Sequence, residues 1–171
     1  FTKIFIYLFF FSSLFISSVN SEIVKKLVIN GNDRISDETI KMLSSVSINT
    51  DLKNSDINRV LKSLYNSNFF ADVSITFLKN IFTINVKENP IIQDIKYEGI
   101  KSKRILEIIT SNLNLKPRYS YNDILLKDDI KKMQLSLQNL GYYFPKIDSY
   151  KEDLNDNTVN VSHKITLGKK A

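Results

Sequence analysis

Val86-Lys-Glu-Asn-Pro-Ile-Ile-Gln-Asp-Ile-Lys-Tyr-Glu-Gly99 holds the end of one strand, a proline and the start of another strand. Val86 closes an alternation with Phe82 and Ile84, the period of two that sets side chains on one face of a sheet. Pro90 fixes its own φ at about −65° and pushes Asn89 toward an extended conformation. Ile92 opens the next run, with Ile95 and Tyr97 following before Gly99 breaks it. Two strands joined without a flexible spacer predict two small units in a set mutual orientation. Glu88, Asn89 and Pro90 form the expected inter-domain hinge.

Working outward, the two sides read alike. Residues 24–30 form a strand ended by Gly31, and Ser36 is placed to cap a helix bearing Ile40 and Leu43. Residues 49–54 read as a polar loop. Ile57, Val60, Leu61, Leu64 and Tyr65 then mark a second helix, with Asn54 or Ser55 at the cap and Asn68 as a left-handed terminator. Val73, Ile75 and Phe77 alternate with Asp72, Ser74 and Thr76, and Lys79-Asn80 turns the chain into the strand that ends at Val86. After Pro90 the order β-α-α-β-β repeats. Ser102 caps a helix with Ile105, Ile108, Ile109 and Leu113, and a long helix carries Leu126, Ile130, Met133, Leu137 and Leu140. Gly141 ends it, and strands follow around residues 144–150 and 159–165. Leu64-Tyr-Asn-Ser-Asn-Phe-Phe70 aligns with Leu137-Gln-Asn-Leu-Gly-Tyr-Tyr143, so the chain is one unit written twice. The fold class is α+β: tandem units, each a three-stranded mixed sheet covered by two helices on one face. The expected domains are residues 22–89 and 90–171.

Residues 1–21 differ from the rest. Lys3 precedes an apolar core over residues 4–16, and small residues Ser17, Ser18 and Ser21 follow. That pattern describes a secretory signal peptide cut near Ser21, too short to span a bilayer. The expected site of action is therefore outside the cytoplasm. With 43% hydrophobic and 25% charged residues the remainder is ordinarily globular. Removing Lys3 leaves +5 of the +6 net charge, spread rather than gathered into a patch.

Much chemistry is excluded. The chain has no cysteine and one histidine, His163, so neither a thiolate zinc site nor a Cys nucleophile is available. His163 shares phase with Val159, Val161 and Ile165 and is expected to be covered rather than catalytic. Asp128-Asp129 is read as a solvated pair on a polar helix face. The four glycines lie too far apart for a phosphate-binding loop. No catalytic residue, metal ligand or cofactor is called for, and no enzyme is expected. The order β-α-α-β-β also opens the KH fold, but the loops at 47–51 and 114–118 lack the GXXG that clamps RNA. No nucleic-acid partner is expected. Phe69, Phe70, Tyr142 and Tyr143 at the helix-to-strand corners are assigned to the core.

Three features resemble a known family. The strand-then-glycine openings Leu27-Val-Ile-Asn-Gly31 and Ile95-Lys-Tyr-Glu-Gly99, the helix exit Leu64-Tyr-Asn-Ser-Asn-Phe-Phe-Ala-Asp-Val73 and the link Val86-Lys-Glu-Asn-Pro90 resemble those of POTRA domains. POTRA domains belong to the Omp85/BamA-type outer membrane assembly factors. Asn68 departs from the glycine usual at that position, whereas Gly141 keeps it. The resemblance implies the first POTRA pair of a periplasmic arm on the outer membrane, with a C-terminal β-barrel in the full-length protein. It also implies unfolded outer membrane proteins, periplasmic chaperones or assembly lipoproteins as partners.

In such a unit the first strand of the hairpin is expected at the sheet edge, where unpaired N–H and C=O groups accept an added strand. This nominates Asp72, Val73, Ser74, Ile75, Thr76 and Phe77, and in the second copy Lys146, Ile147, Asp148, Ser149 and Tyr150. Asp72, Pro145 and Lys146 are also residue types that blunt an edge. The alternative is a rigid structural spacer of a two-partner-secretion-type or related transporter that binds no client.

Overall fold

The computed structural model describes residues 22–170; the signal-peptide reading of residues 1–21 lies outside the described residues. The chain runs β1 (Glu22–Ile23), β2 (Lys26–Asn30), α1 (Asp37–Ser44), β3 (Asp51–Leu52), α2 (Asn54–Asn66), β4 (Phe70–Leu78) and β5 (Ile81–Glu88). It continues through β6 (Ile91–Glu98), α3 (Lys103–Thr110), α4 (Asp123–Asn139), β7 (Tyr142–Tyr143), β8 (Lys146–Asp153), β9 (Thr158–Thr166) and β10 (Lys169–Lys170). The sheet orders are β2-β5-β4 and β6-β9-β8, each with a parallel first pair and an antiparallel hairpin. Two α+β units of one topology follow one another, as the repeat predicts.

Local chemistry fixes the ends. Ser36 accepts from Thr39 N and Ser102 from Ile105 N, so both first helices start where the sequence places them. Lys79 and Asn80 both take positive φ in the β4–β5 turn, the backbone a two-residue hairpin needs. Gly31 and Gly99 have φ of +84° and +93°. A Cβ at Gly31 would collide with the Val86 carbonyl, and one at Gly99 with that of Ile165. Only glycine lets the opening strand leave its sheet so close to the central one.

The first unit has one buried cluster and the second has two. Ile40, Val60, Leu64, Phe82 and Ile84 centre that of the first unit; in the second, Ile109, Met133, Leu137 and Ile165 form one cluster and Ile92, Leu115, Tyr121, Val159 and Val161 the other. Several details depart from the sequence reading. The first strand is broken: β1 pairs with β3, and Val24 is tied to Asn49 and Thr50 by backbone bonds. The supposed polar loop thus contributes buried Leu52 to the core. Helix α2 begins after Lys53, whose N–H donates to Asp56 Oδ2 at 2.9 Å. A two-residue ribbon, β7 with β10, closes the second unit, and such short pieces carry no periodicity to read.

Candidate functional site

The outer strands β4 and β8 hold the nominated residues. Asp72, Val73, Ser74, Ile75, Thr76 and Phe77 lie in β4; Lys146, Ile147, Asp148, Ser149 and Tyr150 lie in β8. Each strand pairs with the central strand on one side only. The register says which backbone groups face outward. The Val86 and Ile165 carbonyls face Gly31 and Gly99, away from the hairpin partners. Their opposites, Val73 and Ile147, therefore turn N–H and C=O out from the sheet. Alternation adds Ile75 and Phe77 on β4, and Ser149 and Lys151 on β8. The side chains of Val73 and Ile147 are buried under the helices.

The two edges differ at their first outward residue. Val73 N donates to Tyr65 Oη at 3.1 Å, and that hydroxyl also lies 3.1 Å from Asp72 Oδ1 and 3.4 Å from Val73 O. A bulge between Phe70 and Asp72 bends the strand at the same place. Tyr65 reads from its spacing as the last residue of the apolar stripe, yet its side chain serves the edge. In the second copy Gln138 occupies the matching position. Among the described residues no side chain bonds the outward backbone groups of Ile147, Ser149 or Lys151.

Aromatic assignments divide likewise. Phe70 is buried and packs edge-on against Phe69, with centroids 6.3 Å apart. Tyr143 is not core: it is 57% exposed, and Phe144 beside it is 91% exposed with φ +55°. Val73 and Ile147, equivalent on their sheets, lie 74 positions apart, whereas Leu64 and Leu137 lie 73 apart, so the second copy has one extra residue beside these rings. Ile108 is likewise exposed rather than core.

His163 is fully covered at the centre of the second sheet. Its Nδ1 lies 2.7 Å from Ser149 Oγ, and its ring stacks on Tyr97 with centroids 5.1 Å apart. Burial pushes the imidazole below its ordinary range, against a smaller upward pull from Asp129. Burial, aided by Asp129, pushes the Tyr97 phenol up to about 12. Asp129 itself corrects the sequence reading. It is 1% exposed, and its carboxylate accepts from Asn114 N, Asn114 Nδ2 and Leu115 N at 2.8 Å each. Only Asp128 of that pair is solvated, where it meets Lys132 Nζ at 2.8 Å. The loop ahead of α4 turns its N–H groups onto the helix, and a buried carboxylate satisfies them.

The junction is held by side chains. Glu88 is 4% exposed, and its Oε1 accepts from Asp33 N, Arg34 N and Ile35 N at 2.8–3.0 Å. Arg34 Nε stands 3.0 Å from Oε2 as an ion pair, and its Nη2 donates to Asn89 O at 2.7 Å. Burial raises the Glu88 carboxyl, but the three N–H donors and the Arg34 guanidinium together hold it below its ordinary range. Asn89 donates from its backbone to Phe69 O and from its amide to Asn68 O. Pro90 O accepts from Tyr121 N at 2.8 Å. Asn122 Nδ2 reaches Asn68 Oδ1 at 3.0 Å, and Asn157 Nδ2 reaches Glu88 O at 3.3 Å. An open cleft of about 500 Å3 beside these bonds is lined by Arg34, Phe69, Ile91, Arg118 and Leu125 among others. The sequence points to Glu88, Asn89 and Pro90 but gives no sign of Asn68–Asn122. Among the described residues no group of three or more His, Cys, Asp or Glu could hold a metal.

Residues 90–168 match the POTRA family model, described as a surface antigen variable number repeat. The second unit is a POTRA domain. It is 24% identical over 166 residues to the outer membrane protein assembly factor BamA of Buchnera aphidicola subsp. Acyrthosiphon pisum (strain APS), covering 96% of this chain and 27% of that protein. It is 32% identical over 89 residues to the protein of the same name from Neorickettsia risticii (strain Illinois), covering 52% of this chain and 12% of that one. The chain thus spans about a quarter and about an eighth of the two curated relatives. The N-terminal domain of Omp85 from Thermosynechococcus elongatus has the same fold, with a TM-score of 0.58 at 14% identity over 84% of this chain and 63% of that one. The POTRA resemblance drawn from the openings, the helix exit and the link therefore holds.

Proposed function

We propose that this POTRA pair, with domains at residues 22–89 and 90–171, is a non-enzymatic periplasmic module of an outer membrane β-barrel assembly machinery. It takes extended segments of unfolded outer membrane proteins, or of accessory chaperones and lipoproteins, by strand addition. In the full-length protein it precedes a C-terminal β-barrel, and residues 1–21 are removed on export. The observation that carries this reading is the outer strand of each sheet, which turns N–H and C=O groups outward with a helix lying alongside. Main-chain bonds at such an edge give affinity with little demand on sequence, which suits a receiver of many clients. The names of the curated relatives, outer membrane protein assembly factors, support the setting.

The test uses the chain from Glu22 onward, which holds every described core residue, labelled with 15N. Titration with an extended peptide of alternating apolar and polar residues is expected to shift amides of residues 72–77 or 146–150. Shifts confined to helix faces would contradict strand addition. The second reading, a rigid spacer without clients, is favoured by the bonds Asn122–Asn68 and Asn157–Glu88 across the junction. It predicts no shift at either edge.

A further inference from the structure

The two edges are not equivalent, and we infer that the second unit, through β8, is the strand-accepting member of the pair while Tyr65 closes the first. This rests on the strand-addition reading and deepens it. An incoming strand pairs with the outward residues of the edge, which on β4 are Val73, Ile75 and Phe77. Tyr65 Oη accepts the Val73 N–H at 3.1 Å and sits beside the carbonyl of the same residue at 3.4 Å. Asp72 Oδ1, 3.1 Å away, accepts from that hydroxyl and holds it in place. A strand docking there must displace a side chain that already accepts the Val73 N–H and crowds its carbonyl, so its undiminished gain comes only from the two outward residues nearest the hairpin turn. The bulge at Phe70/Asp72 twists the same end of the edge away from a straight partner.

On β8 the outward groups of Ile147, Ser149 and Lys151 run in unbroken register opposite Ile165, His163 and Val161. Gln138 replaces the tyrosine. Apolar surface collects around this edge. Phe144 and Tyr143 precede it, and Leu135 on α4, 59% exposed, lies one turn before Gln138. The chemistry that fits is an extended segment of alternating character, its apolar residues against these rings and its backbone on Ile147, Ser149 and Lys151. On the other face of the strand Tyr150 stands exposed between Asp148 and Glu152, so the alternate residues of the segment meet one ring flanked by polar side chains.

The experiment titrates the 15N-labelled chain from Glu22 with a ten-residue peptide alternating valine and threonine, and reads each edge separately. Amides of Ile147, Ser149 and Lys151 are expected to shift, with Val73, Ile75 and Phe77 still. Tyr65→Phe keeps the ring and removes the hydroxyl. It is expected to add shifts on β4 and to tighten binding there roughly tenfold, within the range of one or two recovered hydrogen bonds. Lys151→Pro removes an outward N–H without breaking a ladder bond and is expected to weaken binding at β8 roughly tenfold. Spectra of residues far from either substitution check that both variants remain folded. Shifts on β4 at least as large as those on β8 in the unsubstituted chain would overturn the inference and leave strand addition standing. Silence at both edges, in the unsubstituted chain and in Tyr65→Phe, would overturn both.

Discussion

Asn122 Nδ2 donates to Asn68 Oδ1 at 3.0 Å, joining the cap of α4 in the second unit to the residue that ends α2 in the first. Both side chains do local work as well. Asn122 Oδ1 accepts from Ile124 N and Leu125 N, and Asn68 holds φ at +60°. The departure from glycine at position 68 thus has a physical reason. Asparagine tolerates the left-handed conformation and brings an amide that glycine lacks. Gly141, at the same place in the second copy, has nothing within 4 Å of a notional Cβ.

Asn68→Gly is therefore expected to leave the stability of the first unit within about 0.5 kcal/mol, since glycine suits that φ. It is expected to loosen the two units. Residual dipolar couplings measured on each unit separately check this: distinct alignment tensors in the variant support the bond's role, and one shared tensor contradicts it.

Glu88→Gln removes the charge that three N–H groups and Arg34 address. The expected loss is about 2 kcal/mol, the scale of hydrogen bonds to a charged group. Because the folded carboxyl titrates below its unfolded value, the stabilisation is present above about pH 4.5 and is lost as pH falls through the folded value. Urea unfolding followed at first-unit amides should show a steep decline in the unsubstituted chain below that pH and a shallower one in Glu88→Gln.

Two glycines give a matched pair. Gly99→Ala meets both a positive φ and the Ile165 carbonyl, so it should cost roughly 2–4 kcal/mol. Gly141→Ala meets only the φ and should cost about 1–2 kcal/mol. Thermal unfolding of the second unit ranks them, and equal losses would contradict the close approach of β6 and β9.

His163 is buried neutral between Tyr97 and Ser149. The unfolded chain takes up a proton near pH 6.5 that the folded chain refuses until lower pH. Stability of the second unit is therefore full above 6.5 and declines as pH falls below it. His163→Gln is expected to flatten that decline, seen as denaturation midpoints that no longer move between neutral and mildly acid pH.

The fold was legible because strand alternation, helix stripes and caps agree with one another, and because two copies check each other. Phe82, Ile84 and Val86 fall inside, as their period says. What escaped depends on residues distant in sequence. Asp129 is indistinguishable from Asp128 until the loop at 114–115 folds onto it. Tyr65 keeps the helical spacing of a core residue, and only the position of β4 turns its hydroxyl to the edge. The sequence places the link at Glu88, Asn89 and Pro90 and its stiffness in the fixed φ of Pro90, yet Glu88 and Asn89 make most of the bonds there, with pairs such as Glu88 and Ile35 lying 53 positions apart. Pro90→Gly is accordingly expected to change small-angle scattering of the pair less than Asn68→Gly does.

The central claim is that an extended client becomes a fourth strand on the second sheet, and amide hydrogen exchange tests it most directly. Outward N–H groups on an unpaired edge exchange readily, and pairing protects them. With saturating alternating peptide, exchange at Ile147, Ser149 and Lys151 should slow at least tenfold while the inward-paired Asp148 and Tyr150 change little. Unchanged exchange at all three residues under saturation, with protection confined to helix amides, would contradict it.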